Sequence, residues 1–227
     1  MSNTQEAAEF DQLCQEYVNA LYQNVTGFVT YEPGEKEAAV EKKIFMTYGE
    51  ILYPGVNRLI DYMEINENDV LYDMGSGVGK VALQYFLKSP LKKAVGIEAH
   101  QGRHTSALQV YDQVKKEFPE LFAGGRILDS VSQNFLEADI SDATILFVAS
   151  TCYSEDLLAD IGKLADAKCP KLKYIASHKP IPNKLPLVSI VDIECSWDTA
   201  KSHFYGHLKE GMPAVGMDKD SAENPSS

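Results

Sequence analysis

The sequence predicts a Rossmann-like α/β fold: a seven-stranded sheet, mostly parallel with an antiparallel edge hairpin, preceded by N-terminal helices. Three observations predict it. From Asp69 onward, short apolar runs alternate with helical patterns. A glycine-rich turn, Gly75-Ser76-Gly77-Val78-Gly79, joins the first apolar run to the first of those helices. Near the end, two apolar runs are separated only by Asp198-Thr199-Ala200, which is too short for a crossover and forces a hairpin.

Taken in order, residues 6–22 carry Phe10, Leu13, Cys14, Tyr17 and Leu21 at helical spacing, so they read as an amphipathic helix. A connection marked by glycine and proline runs from Gly27 to Gly34. Residues 35–46 and 49–63 then read as helical, the second with Pro54 near its start, where proline is tolerated. Strands are predicted at 70–73, 94–98, 126–129, 144–149 and 172–177, with helices at 78–87, 101–118 and 155–164 between them. The closing hairpin is predicted at 187–197 and 201–207. This divides the chain into an N-terminal helical segment, 1–63, capping a core, 64–208. Residues 209–227 lack an apolar pattern and read as a disordered tail.

The length of 227 residues suffices for one domain with a large buried core, and 44% hydrophobic residues is ordinary for a globular protein. No apolar stretch is long enough to span a bilayer. The first 20 residues are polar and acidic, unlike a secretory signal, so the expected location is the cytoplasm, without a membrane partner. A net charge of −12 at pH 7, with only scattered lysine pairs, argues against broad nucleic-acid binding. It favours a protein partner with a basic surface or segment. Cys14, Cys152, Cys169 and Cys195 form no C-x-x-C pair, so a zinc ribbon is unsupported. His203 and His207 are four apart on a strand, which also argues against a metal site.

The strongest chemical signal is DVLYDMGSGVGKVALQ, residues 69–84. Glycines let the backbone turn sharply and approach a ligand closely, and a helix N-terminus offers free N–H groups to an anion. Asp73 stands just before the glycines. It would repel a pyrophosphate but suits an ammonium, which favours S-adenosyl-L-methionine over a dinucleotide. Glu98 ends the next strand, 19 residues after Gly79, close to the spacing of a ribose-binding acid. After the third strand, Asn134 and Phe135 pair a polar residue with an aromatic, which suits adenine. A parallel sheet ending in an antiparallel hairpin belongs to class I methyltransferases rather than to dinucleotide dehydrogenases.

The segments TYGE (Thr47–Glu50), DMGSGVGK, GIEAH, NFLEADISDATILFVAS, SHKP and SWDTAKSHFYGH together resemble the catalytic core of the disruptor-of-telomeric-silencing (DOT) family, over roughly residues 45–208. These are protein-lysine methyltransferases without a SET domain. The resemblance implies that Tyr48 and Glu50 close over the methionine end of the cofactor. It implies that Asp73, Gly75, Ser76 and Gly77 hold the amino-acid part, Glu98 the ribose, and Asn134 and Phe135 the adenine. Phe204 and Tyr205 match a tyrosine pair, one member of which lines the channel for the target lysine. The chain departs from the family at Asn134, where an acid is usual, and at Lys80, where glutamine is usual. It also has Ala149-Ser150 in place of two asparagines, followed by Thr151-Cys152-Tyr153 in place of an aromatic-rich stretch.

A lysine nucleophile must be neutral to attack, yet its ordinary pKa is about 10.4, so an apolar channel is required. Phe204, Tyr205 and Tyr153 are the expected wall, and Ser150 the expected acceptor for the attacking amine. His178 beside Pro180 reads first as a surface or packing histidine and second as a residue facing the site. Lysine methylation of a protein is the expected activity. A small-molecule methyltransferase with the N-terminal helices as a lid, and a non-catalytic cofactor-binding module, are the alternatives.

Overall fold

The computed structural model describes residues 3–28 and 49–214. The helix expected at 35–46, residue Tyr48, and the chain from 215 onward lie outside the described residues. The elements are helices α1 (Asn3–Leu21), α2 (Tyr53–Asp61), α3 (Lys80–Lys88), α4 (Gln101–Glu117) and α5 (Glu155–Lys168). The strands are β1 (Val70–Met74), β2 (Lys93–Glu98), β3 (Ile127–Ser132), β4 (Ile145–Val148), β5 (Tyr174–Ser177), β6 (Leu187–Glu194) and β7 (Thr199–Tyr205). They form one seven-stranded sheet in the order β3-β2-β1-β4-β5-β7-β6. The first five strands run parallel, whereas β7 is antiparallel to both β5 and β6. This is the class I methyltransferase arrangement the sequence predicts.

Alternation along each strand distributes the core over two faces. Leu71, Ile145, Phe147, Tyr174, Ala176 and Phe204 pack under α1–α4, while Val70, Tyr72, Leu146, Val148, Ile175 and Tyr205 pack with α5. The central strands β1 and β4 are buried along their whole length, which explains the uninterrupted apolar run of β4 and leaves Asp73 as the one charged residue of β1. Sequence order reverses on either side of β1, so the C-terminal ends of β1 and β4 form a switch point, the usual ligand crevice of such sheets.

Local chemistry sets the boundaries. α3 starts at Lys80 rather than 78, because Gly77 and Gly79 have φ of +56° and +84° and hold the chain out of the helix. Ser154 caps α5 by accepting from the Leu157 N–H, and Glu155 and Asp156 in the first turn complement the helix dipole. The hairpin turn lies at 195–198, earlier than predicted, because Thr199 already pairs with Glu194. The helix predicted at 49–63 shortens to α2. Ile51 instead bridges Cys195, and the Leu52 N–H donates to the Glu194 carbonyl at 2.8 Å.

The N-terminal helix is tied to the core through Asp11, which accepts from Tyr53, Asn57 and Lys88. At the other end, the Lys209 N–H donates to the Tyr62 carbonyl, and Ser189 donates to the Pro213 carbonyl. The chain therefore stays on the core through Pro213, past the predicted end at 208. No helix among the described residues is long and apolar enough to cross a membrane.

Candidate active site

At the switch point lies a cavity of about 350 Å³. The loop after β1 forms its floor. The Gly75 and Ser76 N–H groups donate to the Ile97 carbonyl of β2, at 2.9 and 3.1 Å, and Gly75 takes φ +85°. A side chain at Gly75 would place its Cβ only 2.4 Å from the Tyr153 hydroxyl, so glycine is required twice over. Gly96 has a related duty: a Cβ there would meet Ser76 Oγ at 2.5 Å.

Asp73 projects from β1 into the cavity and is almost wholly buried, with no hydrogen-bond partner on Oδ2. Burial, reinforced by the nearby Glu98 carboxylate, pushes its carboxyl up to about 8. Ser76 Oγ is likewise buried without a partner. Buried polar atoms left unpaired are costly, so these two mark where a polar ligand would be received. Glu98, at the tip of β2, accepts from the Gly77 N–H and the His100 N–H, both at 2.8 Å. Each carboxylate oxygen is thereby fixed while a lone pair remains for a ligand hydroxyl. The Asn134 carbonyl oxygen accepts from the Leu136 N–H, which sets its amide at the far end of the cavity. Beside it, the rings of Phe135 and Tyr153 lie 5.9 Å apart and 33° from parallel.

The near end is closed by the 49–52 segment and the hairpin turn. The Glu50 N–H donates to Ser196 Oγ at 3.1 Å, and the Ser196 N–H returns a bond to the Glu50 carbonyl at 2.8 Å. Glu50 also ion-pairs with Lys80, whose ammonium lies 5.0 Å above the Tyr22 ring. Trp197 leans over Gly49, where any Cβ would strike its ring at 2.5 Å. Phe147, Ala149 and Thr151 complete this end.

The family model for histone methylation protein DOT1 matches residues 41–201. The chain belongs to the DOT1 family. A protein-lysine N-methyltransferase of Saccharolobus islandicus is 32% identical over 91 residues, 40% of this chain and 52% of that protein. A histone-lysine N-methyltransferase of Drosophila melanogaster, H3 lysine-79 specific, is 41% identical over 51 residues, 22% of this chain and 3% of that protein. Its counterpart in Caenorhabditis elegans is 26% identical over 121 residues, 51% of this chain and 13% of that protein. The chain thus spans about half the length of the first of these relatives and a small part of the two others.

Measured against the DOT1 resemblance, the structure brings Glu50, Asp73, Gly75, Ser76, Gly77, Glu98, Asn134, Phe135 and Tyr153 to one cavity. Tyr48 lies outside the described residues. Three expected residues do not reach it. Phe204 shares a row of the sheet with Asp73, Phe147 and Ala176, but Tyr62 and Tyr174 cover it and it is 0% exposed. Tyr205 points to the opposite face, where its hydroxyl accepts from the Ile181 N–H at 2.9 Å. Ser150 is 0% exposed and occupied internally: Oγ bonds Ser177 Oγ and accepts from the Lys179 N–H. Trp197, Thr151 and Phe147 line the cavity instead. The sequence carried one cue to this, in that Trp197 is its only tryptophan; in the structure it is 45% exposed, an apolar ring left facing solvent.

Proposed function

We propose that this protein transfers a methyl group from S-adenosyl-L-methionine to a lysine side chain of a basic protein. The observation that carries the reading is Asp73: a buried carboxyl whose Oδ2 has no partner, between a glycine cradle and a ribose-type acid, Glu98. Free of ligand, Asp73 escapes its burial and the repulsion from Glu98 by holding a proton; a cationic partner would let it ionise in place. In this reading Asp73 and the Gly75–Gly77 loop hold the amino-acid part, Glu98 takes the ribose, and Asn134 with Phe135 takes the adenine. Glu50, together with Tyr48, closes over the methionine end. Residues 1–63 cap the core of 64–208, a role supported by the Tyr22 hydroxyl donating to the Val78 carbonyl and Arg103 donating to the Gly27 carbonyl.

The cofactor, when bound, supplies an already activated methyl on a sulfonium. The protein's share is therefore alignment and exclusion of water. Asp73, the Gly75–Gly77 loop and Glu98 would hold the cofactor so that this methyl passes to a neutral lysine amine, with the thioether released and the surplus proton passing to solvent. Phe147, Ala149 and the Trp197 ring give the reacting end apolar walls, which disfavour an ammonium and hold the incoming lysine neutral. The net charge of −12 attracts a basic partner, and membership in a family of histone methylation proteins supports a lysine acceptor.

The test is incubation with methyl-labelled cofactor and a whole-cell protein extract, read by gel and mass spectrometry. Label on lysine of a basic protein is expected, with incorporation falling as salt rises. Label confined to small molecules, or no transfer by a protein that binds the cofactor, would overturn the reading.

A further inference from the structure

Among the described residues, Thr151 brings a side-chain hydroxyl to the part of the cavity lined by Phe147, Ala149 and Trp197, and the structure shows how it is held. Thr151 Oγ1 lies 3.0 Å from Nδ1 of His178, the residue that follows β5. His178 is buried, and its ring is fixed edge-on between Phe147 at 6.0 Å and Trp197 at 6.1 Å, both of which line the cavity. Burial, with a smaller contribution from the neighbouring His203, holds the imidazole neutral by lowering its pKa to about 4. Its other nitrogen, Nε2, is buried without a partner. An orphaned acceptor is tolerated better than an orphaned N–H, which places the proton on Nδ1, donating to Thr151. The threonine hydroxyl is then pinned, with one lone pair still open to a group in the cavity.

The neighbouring position cannot take this part. Ser150 is 0% exposed and does not line the cavity; its Oγ accepts from the Lys179 N–H and donates to Ser177 Oγ, which in turn donates to the Lys179 carbonyl, so it is turned into the loop. Ala149 has no polar atom. Where the DOT family carries two asparagines, this chain therefore offers Thr151 one residue later, with a histidine behind it.

We propose that Thr151 accepts a hydrogen bond from the target amine and so orients its lone pair toward the methyl, with His178 as the positioning residue that fixes the threonine hydroxyl. The inference rests on the lysine-methylation reading above. His178 acts as a fixed donor, and the amine's proton leaves to solvent before attack. The pair explains why an otherwise apolar end keeps a buried imidazole with an unfilled nitrogen.

Four variants test it: Thr151→Val, Thr151→Ser, His178→Asn and His178→Phe. Asparagine can reproduce the Nδ1 donor, whereas phenylalanine keeps the ring and removes it. Each is assayed for single-turnover transfer of labelled methyl to a whole-cell protein extract at saturating cofactor, for cofactor affinity by calorimetry, and for melting temperature. Thr151→Val and His178→Phe should lose on the order of tenfold in rate with unchanged cofactor affinity, the worth of one oriented hydrogen bond. Thr151→Ser and His178→Asn should recover most of it. A Thr151→Val protein with the wild-type rate overturns the proposal, as does a Thr151→Ser protein as slow as Thr151→Val. If the His178 variants fail to fold, the two Thr151 variants decide alone. A wild type that binds cofactor but labels no protein overturns the reading beneath the proposal instead.

Discussion

Replacing Asp73 by asparagine should stabilise the cofactor-free protein while destroying its site. Asp73 is buried, and its carboxyl is pushed up to about 8 from an ordinary 3.8, so it is protonated in the free protein at neutral pH. In the unfolded chain it is ionised at pH 7. Holding it protonated across the interval from 3.8 to pH 7, at about 1.4 kcal/mol per pH unit, costs about 4 kcal/mol. A folded-state pKa above the unfolded value means the folded state binds the extra proton. Its stability contribution is therefore complete below about pH 3.8 and is lost progressively as pH rises to about 8. Asparagine carries no such penalty, but it still buries a polar amide, so the net gain at pH 7 should be roughly 1–3 kcal/mol. For a chain of this size that is a rise in melting temperature of about 3–10 °C. The assay is a thermal melt of wild type and Asp73→Asn, both cofactor-free, from pH 4 to 8.5. The gap should open with rising pH and reverse by roughly 1–3 kcal/mol near pH 4, where the protonation penalty vanishes and only the cost of the buried amide remains. Calorimetry with S-adenosyl-L-methionine should show that the variant no longer binds. A variant that melts at or below wild type at pH 8, or a gap independent of pH, would refute the assignment of Asp73 as a strained carboxyl awaiting a cation.

Gly75→Ala should abolish cofactor binding, because the new Cβ meets the Tyr153 hydroxyl and φ is +85°; normal calorimetric affinity would count against the cradle. Cofactor affinity of the wild type should weaken as pH falls from about 8 to 6, with a proton released on binding, because a cation beside Asp73 lowers the raised pKa; calorimetry in buffers of different ionisation heat measures the release. Tyr205→Phe should lose roughly 1–3 kcal/mol of stability, since the Ile181 N–H is left without its acceptor, yet keep the single-turnover rate; a rate loss without destabilisation would return Tyr205 to the site.

The succession of strands and helices along the chain, the closing hairpin, the glycine loop and the position of Glu98 are legible because they depend on local patterns: apolar runs, turn residues and a fixed spacing. The boundary at Lys80 was displaced because the φ of Gly77 and Gly79 is a property of the turn, which glycine identity permits but does not specify. The pairing of Phe204 with Tyr205 as a channel wall contradicted a rule the sequence already contained. Adjacent residues of a strand face opposite sides of the sheet, so the two cannot line one channel. Which one would be covered depends on Tyr62 at the end of α2, a contact that no local pattern reveals. Trp197 reached the cavity through the pairing of Glu50 with Ser196, residues 146 apart in the chain. The Thr151–His178 contact, 27 residues apart, likewise exists only because β4 and β5 lie side by side.

The most direct test of the account is the structure of the protein crystallised with S-adenosyl-L-homocysteine. The account predicts the ligand ammonium at Asp73 Oδ2, both ribose hydroxyls on Glu98, the adenine beside Asn134 and Phe135, and the sulfur facing Thr151 and Trp197. A ligand bound in the reverse sense, with adenine at the Trp197 end, or a cavity that remains empty at saturating ligand, would contradict it.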